Sequence, residues 1–503
     1  MSGNIGGGNK TINLIKLLDD TVQKYAERTA LISDKQYITY GQLKRAINAV
    51  AGLVKKSGIG KGDKVTVMLP NIPEFVYSYF GVVKNGAVVV SLNTLSTPSE
   101  LIYLLNNSDS KLLITQTSQI KKFHEIKDKL SSCHQAIAID SLNQNGELLS
   151  VADSQDSAVT PVEIKPKDPA VIIYTAGLTG RPLGAVLTHH NLYSQAVVLQ
   201  SISQRTPDDV ALAVIPLFHT FGATVTMLLD IRAGSSIVMM DRLTMEGLFS
   251  AIEREKITYI AAVPRLYMGM IFYEKASKYD VSSLNLCITG GAPMPTDFLP
   301  VFEKKFGIRL LEGYGLTEAS PVCSFNSPDK ISKPGSIGPA IPGVEIKIVD
   351  DNGRELPRNQ IGELIVKGDN VMKGYYKNEA ATAAVIKNGW LHTGDLGRMD
   401  EDGYIFLTGI KKRMIITSGF NVYPREVETV LKMHPAIQEA RVSGKEDLMR
   451  GEIVKAYIVL KEGHNADEKE IIRYCKTYLS NYKVPREVEF VREIPAATDI
   501  KFE

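Results

Sequence analysis

Apolar positions along the chain fall into two rhythms. In "YGQLKRAINAVAGLVKKSG", Leu43, Ile47, Val50 and Val54 recur at helical spacing behind Thr39, and Gly58 ends the run. "KVTVML" and "GAVVVSL" follow as short apolar strands, and "SSIVMM" (235–240) and "YIAAV" (259–263) repeat the theme after helical stretches. Such alternation predicts α/β architecture with parallel sheets. The character changes near residue 409. "RMDEDGYIFLTG" carries Asp-Gly turn chemistry between short strands. Beyond it lie "VKAYIVLKEG" and a helix in "DEKEIIRYCKTYLSNY", where Asp467 and Glu470 form a capping-box pattern. Ile471, Ile472, Cys475, Tyr478 and Leu479 share one face of that helix. The boundary falls at 409–412, giving a domain over 1–408, a hinge over 409–412 and a small domain over 413–503.

Composition narrows the function. The 503 residues are 44% apolar and 23% charged, which suits a large globular core. A net charge of +2 supplies no field for nucleic acid or anionic lipid. Cys133, Cys287, Cys323 and Cys475 lie far apart, as expected of buried thiols in a reducing compartment rather than a zinc or disulfide framework. No apolar run approaches the roughly 18 residues of a membrane helix, and "MSGNIGGGNKTIN" lacks a signal core. The expected location is the cytoplasm, with peripheral membrane contact and a homodimer left open.

One stretch raises a chemical question. "IIYTAGLTGRPLGAVLTHHNL" (172–192) looks like a strand feeding a loop of Thr, Gly and Pro whose N–H groups can wrap a phosphate. Yet a hydroxyl position is Leu178 and the position for a cation is Leu183. The chain has no GxxxxGK[ST], no GxGxxG opening a helix and no GxSxG elbow. "FHEIKD" lacks the second histidine of a zinc-protease helix, which leaves His124 as a surface residue.

Five segments in order, "YTAGLTGRPLGAVLTH", "PLFHTFGA", "EGYGLTEAS", "GWLHTGDLG" and "MIITSGFNVYPREVE", resemble the signature of the AMP-forming acyl- and aryl-CoA synthetases of the adenylate-forming superfamily. The resemblance covers nearly the whole chain. It implies a large, multi-subdomain N-terminal region with parallel sheets and a small, mobile α+β C-terminal domain. The activity implied is ATP-dependent activation of a carboxylic acid, with coenzyme A and Mg²⁺ as the other participants. By the same resemblance, the loop residues Thr175, Gly177, Thr179 and Gly180 approach phosphate, while Gly291, Ala292, Pro293, Glu312 and Gly313 form the nucleotide wall. Tyr314 stacks on adenine, Thr317 touches the α-phosphate, Glu318 holds the metal and Asp395 accepts the ribose hydroxyls. His219 and Gly290 border the acid, Lys412 is the pivot, Gly419 lets a pantetheine arm pass and Lys501 is the adenylation lysine. Read as residues alone, Asp395 also suits a cap on its own turn, Glu318 a solvated turn residue, and Lys501 a frayed terminus.

The pattern breaks at Leu178, Leu183, Ile410 and Ile500, each a branched apolar residue where the family carries a small, polar or cationic one. The expectation is therefore an acid–CoA ligase for a medium- or long-chain fatty acid, with an aryl acid as competitor, impaired at those positions. A catalytically silent nucleotide- and acyl-binding relative, and acyl transfer to a carrier protein, are the alternatives.

Overall fold

The computed structural model describes residues 12–33, 36–139, 162–176, 181–240, 242–410 and 415–494. Two large sheets dominate the N-terminal region. A seven-stranded sheet runs Gly374–Tyr375, Pro182–Thr188, Pro169–Ala176, Val88–Ser91, Lys64–Met68, Ser110–Thr115, Gln135–Ala138. An eight-stranded sheet runs Val322–Phe325, Leu310–Gly315, Leu286–Thr289, Tyr259–Ala262, Val210–Ala213, Ser236–Met239, Thr29–Ser33, Gln36–Thr39.

Both sheets are parallel at their centres, as the strand–helix alternation predicts. Their margins differ from that expectation. Pro169–Ala176 pairs antiparallel with Pro182–Thr188, and Leu310–Gly315 pairs antiparallel with Val322–Phe325. A parallel return needs a long crossover, and the few residues between these partners allow only a hairpin. So the strand at 172 does not pass from its loop straight into a helix. It doubles back first, and the helix His189–Ser203 then starts at a capping box of Thr188 and Asn191.

Helices hold the two sheets together. Leu14–Tyr25, Tyr40–Lys56 and Pro73–Lys84 contribute to one apolar cluster that also takes in Val65, Val67 and Val89 of one sheet and Leu31, Ala213 and Ile237 of the other. Pro73–Lys84 lies between layers, so its apolar residues run all round it, and Phe75, Val76, Tyr79 and Phe80 are fully buried. Each such side chain contributes about 1.5–3 kcal/mol relative to exposure. Thr39 caps Tyr40–Lys56 through a capping box with Gln42, where the sequence places the helix start.

A third, antiparallel sheet joins Val344–Val349, Gly362–Gly368, Trp390–Met399 and Ile386–Lys387, with Ile405–Ile410 added on Trp390–Met399. The smaller C-terminal domain has its own sheet, Phe420–Val422, Ile415–Thr417, Gly451–Leu460, Ile437–Asp447, with Glu487–Phe490 parallel to Gly451–Leu460. Helices Pro424–Lys432 and Glu468–Tyr478 cover it, burying Val427, Leu431, Ile471, Cys475 and Leu479 in a separate core. Asp467 accepts from the N–H of Glu470 at 2.7 Å, the cap expected of that pair.

Candidate active site

The site is built at three corners. The hairpin strand Pro169–Ala176 brings Thr175 to its tip, where the hydroxyl lies 3.3 Å from the Tyr423 hydroxyl of the small domain. Leu183 is Thr175's register partner across the hairpin and is buried. The short strand Gly374–Tyr375 pairs with the far side of the same hairpin and carries Tyr375, whose hydroxyl donates to Oε1 of Glu318 at 2.7 Å. Glu318 sits on the single helical turn Thr317–Ala319 after strand Leu310–Gly315, and its carbonyl accepts from the N–H of Met372 at 2.8 Å. Burial first, then the Glu318 carboxylate, raises the Tyr375 hydroxyl's pKa, so it remains a donor.

Tyr314 belongs to the same strand and donates its hydroxyl to Oδ2 of Asp395. Asp395 is placed by strand Trp390–Met399, and its N–H donates to the Thr393 hydroxyl at 3.0 Å. Burial, then Asp395, raises the Tyr314 pKa. Ile410 is Asp395's register partner on strand Ile405–Ile410. Two of the four departures thus stand directly across a strand pair from residues expected to meet the nucleotide: Leu183 opposite Thr175, and Ile410 opposite Asp395.

The third corner follows strand Leu286–Thr289, where the chain becomes Gly290, Gly291, Ala292 and Pro293. A Cβ on Gly290 would lie 3.1 Å from the Gly313 carbonyl and 3.4 Å from the Phe221 ring, so only glycine lets these walls close up. Gly419, at φ +85°, approaches the opposite face; a Cβ there would meet Val263 at 3.3 Å, and one on Gly291 would meet Val263 at 3.7 Å. His219 is half-buried with its ring 4.4 Å from Phe218 and 6.3 Å from Phe420. Burial lowers its pKa to about 4, which leaves a neutral imidazole at pH 7. Phe221 opens a π-helical stretch, Gly222–Leu228, whose Val225 joins Ala261, Ile288 and Leu311 in an apolar cluster. Glu312 is buried beside this corner and receives one N–H, from Met294 at 3.3 Å. Burial lifts its carboxyl to about 7, with the Met294 bond acting the other way.

The structure therefore gathers Thr175, Thr317 and Glu318 on one side, Gly313, Tyr314 and Asp395 on a second, and His219, Gly290, Gly291, Ala292, Pro293, Glu312 and Gly419 on a third. Gly177, Thr179, Gly180, Lys412 and Lys501 lie outside the described residues, as do Leu178 and Ile500. Sequence reading missed Tyr375, Tyr423 and Val263. Tyr423 falls inside the "MIITSGFNVYPREVE" segment without drawing notice, and Tyr375 in "KGYYKNEA" looks like turn polarity. Only the fold brings them to Glu318, Thr175 and the two glycines. Among the described residues, no three His, Cys, Asp or Glu side chains gather as a metal cage. No described helix is long and apolar enough to cross a membrane.

Comparison with known proteins defines the class. Residues 18–376 match the AMP-binding enzyme family, and residues 426–500 match the AMP-binding enzyme C-terminal domain. The chain is 35% identical to a long-chain-fatty-acid–CoA ligase of Bacillus subtilis over 97% of this chain and 92% of that one. Among solved structures, it aligns with TM-score 0.85 and 31% identity to a double mutant of o-succinylbenzoate CoA synthetase from B. subtilis bound with its product analogue, covering 96% of both chains. With ATP-bound MatB from Rhodopseudomonas palustris the TM-score is 0.74 at 30% identity, covering 97% of this chain and 96% of that one. The chain belongs to the AMP-binding enzyme family. It is an AMP-forming acyl-CoA synthetase, with ATP and coenzyme A as substrates alongside a small carboxylic acid.

Proposed function

We propose that the acid is a medium- or long-chain fatty acid, and that the chain is stronger in the second half-reaction than in the first. The half-buried Phe221 ring at the Gly290 corner, backed by the apolar cluster of Val225, Ala261, Ile288 and Leu311, carries the first part of that reading. An aliphatic tail matches such a wall, whereas an amino acid or dicarboxylate would strand a charge there. The B. subtilis relative's name points the same way.

In this reading the carboxylate of the acid attacks the α-phosphorus of ATP in line and expels pyrophosphate. Thr175 and Thr317 donate to phosphate oxygens, and Asp395 accepts the ribose hydroxyls while Tyr314 supports it. Glu318 is a hard oxygen donor fixed by Tyr375, which fits Mg²⁺ carried in on the triphosphate; the ion supplies charge neutralisation on the phosphates when bound. Lys501 delivers the cation for this step. The small domain then turns about Lys412 in the 409–412 hinge, and the thiol of coenzyme A reaches the acyl carbonyl past Gly419. Gly419 already lies against Val263, the side chain that also borders Gly291, which suits this second pose. Four buried free cysteines suit a cytoplasmic location.

Leucine at 178 and 183 and isoleucine at 410 and 500 weaken the first step. Loss of one preorganised donor or charge costs about 10²–10³ in rate. The quadruple variant Leu178→Thr, Leu183→Lys, Ile410→Arg, Ile500→Gly is expected to gain at least roughly 10²-fold in acid-dependent pyrophosphate exchange with dodecanoate. If it stays silent with aliphatic and aryl acids alike, the four positions do not limit the first step and this part of the proposal fails.

A further inference from the structure

The small domain is held against the large one by a buried charge cluster made of residues outside the proposed substrate-contacting set. Helix Pro98–Ser108 of the large domain starts at a capping box in which Thr97 and Glu100 bond reciprocally. Glu100 does more than cap. Its Oε1 accepts from Nζ of Lys483 in the small domain at 2.7 Å, and its Oε2 accepts from the Ser480 hydroxyl at 2.5 Å. The Ser480 hydroxyl also lies 3.2 Å from the Leu95 carbonyl. Lys483 bonds Glu426 of its own domain at 2.8 Å. The Lys483 and Glu100 side chains are only 12% and 10% exposed, so solvent screens the pair weakly.

Between the two latch residues sits Tyr482. Its ring stacks on Phe420 at 4.5 Å between centroids and 24° between planes. Phe420 follows Gly419 directly and faces His219. Ser480 and Lys483 fix the ends of a four-residue segment whose middle presses on the residue next to Gly419. Burial works against ionisation of Glu100, yet Lys483 and the hydroxyl and N–H donors outweigh it and hold the carboxyl below its usual range.

We propose that Glu100 is a positioning residue for thioester formation: through Ser480 and Lys483 it locks the 480–483 segment so that Tyr482 seats Phe420 and Gly419 at the acyl carbonyl. This rests on the two-pose reading given above. Lys483 and Glu426 travel together with the small domain, whereas Glu100 stays behind. Rotation therefore breaks the Glu100 contacts and leaves Lys483 neutralised by Glu426. Glu100 favours one pose without stranding a cation in the other.

The test uses Glu100→Gln, because the glutamine oxygen preserves the capping box and the Ser480 acceptor, while its NH2 replaces the charged oxygen that Lys483 donates to. The four native cysteines are buried, so Ile331→Cys and Leu448→Cys, both highly exposed, can carry spin labels selectively. Electron-spin distance measurement on the full chain should give one distribution for the parent. Glu100→Gln should add a second, its population raised roughly tenfold, the size of one charged hydrogen bond. With preformed dodecanoyl-adenylate, Glu100→Gln should lower the rate of dodecanoyl transfer to coenzyme A at unchanged KM. Reversal of the same adenylate with pyrophosphate should not slow. Ser480→Ala, which removes a neutral donor, should shift the distances the same way by a smaller factor. An unchanged distribution in Glu100→Gln, or equal losses in both half-reactions, overturns the proposal. A parent that binds dodecanoyl-adenylate but never yields thioester sinks the two-step reading instead, and the distance measurement still decides the role of Glu100.

Discussion

Glu312 offers the most quantitative test of the site, through the variant Glu312→Gln. The parent carboxyl is buried with a single N–H at 3.3 Å and titrates at about 7 in the folded chain, against 4.5 for a free side chain. Below pH 4.5 both folded and unfolded chains hold the proton, and the site costs nothing. As pH rises, the unfolded chain releases its proton first while the folded one keeps it. Stability is therefore lost between pH 4.5 and about 7, and the loss is complete above that. At about 1.4 kcal/mol per pH unit of separation, the full loss is about 3 kcal/mol. Glutamine has the same shape and does not titrate, so its stability profile lacks this slope. Between pH 5.5 and 8 the variant should gain about 2 kcal/mol on the parent. Urea unfolding followed by circular dichroism at several pH values measures this, provided the transition of the large domain is resolved as a single step. A parent–variant difference that stays constant across pH would refute the reasoning. A parent that becomes the more stable of the two at pH 8 would show instead that Glu312 is ionised and well supplied with donors.

Three further variants address the nucleotide and the thiol. Asp395→Ala removes the acceptor of the buried Tyr314 hydroxyl, so the melting temperature should drop with a loss of about 1–3 kcal/mol, and Mg-ATP should no longer raise it much. Asp395→Asn keeps an acceptor for Tyr314 and should melt near the parent while still losing most of the ATP-induced rise; an undiminished rise in both removes Asp395 from the nucleotide site. Gly419→Ala places a side chain at φ +85° and 3.3 Å from Val263. Acyl transfer from a preformed adenylate to coenzyme A should fall at least roughly tenfold, the effect of about 1–2 kcal/mol of left-handed strain, with pyrophosphate exchange spared; equal losses would place Gly419 away from the thiol path.

Much of the fold was legible because helical and strand periodicities are local. Thr39 and Asp467 mark helix starts by their own side chains, and Gly58 marks an end. The antiparallel margins were not legible, since the pairing of Thr175 with Leu183 depends on a chain reversal that apolar patterning does not encode. The candidate site divides the same way. Residues whose type suits their proposed task, such as Glu318 and Asp395, stood out in short motifs. Tyr375 is a tyrosine among tyrosines until the sheet edge brings it to Glu318. The Glu100–Lys483 pair spans 383 residues of sequence, and no local pattern connects them. The apolar departures were visible as oddities, and the register adds that two of them pair across a strand from a proposed ligand-contacting residue.

Val263 stands within reach of both Gly291 and Gly419, so a single aliphatic side chain borders two glycines from different domains. A side chain shared this way constrains substitution from both sides at once. With Gly291 proposed to border the nucleotide and Gly419 the thiol path, a larger residue at 263 would crowd both glycines and a smaller one would loosen both. Selection or engineering for a new acceptor would therefore meet resistance at position 263 and find freer ground at Phe221, which leans on Gly290 alone among these three glycines.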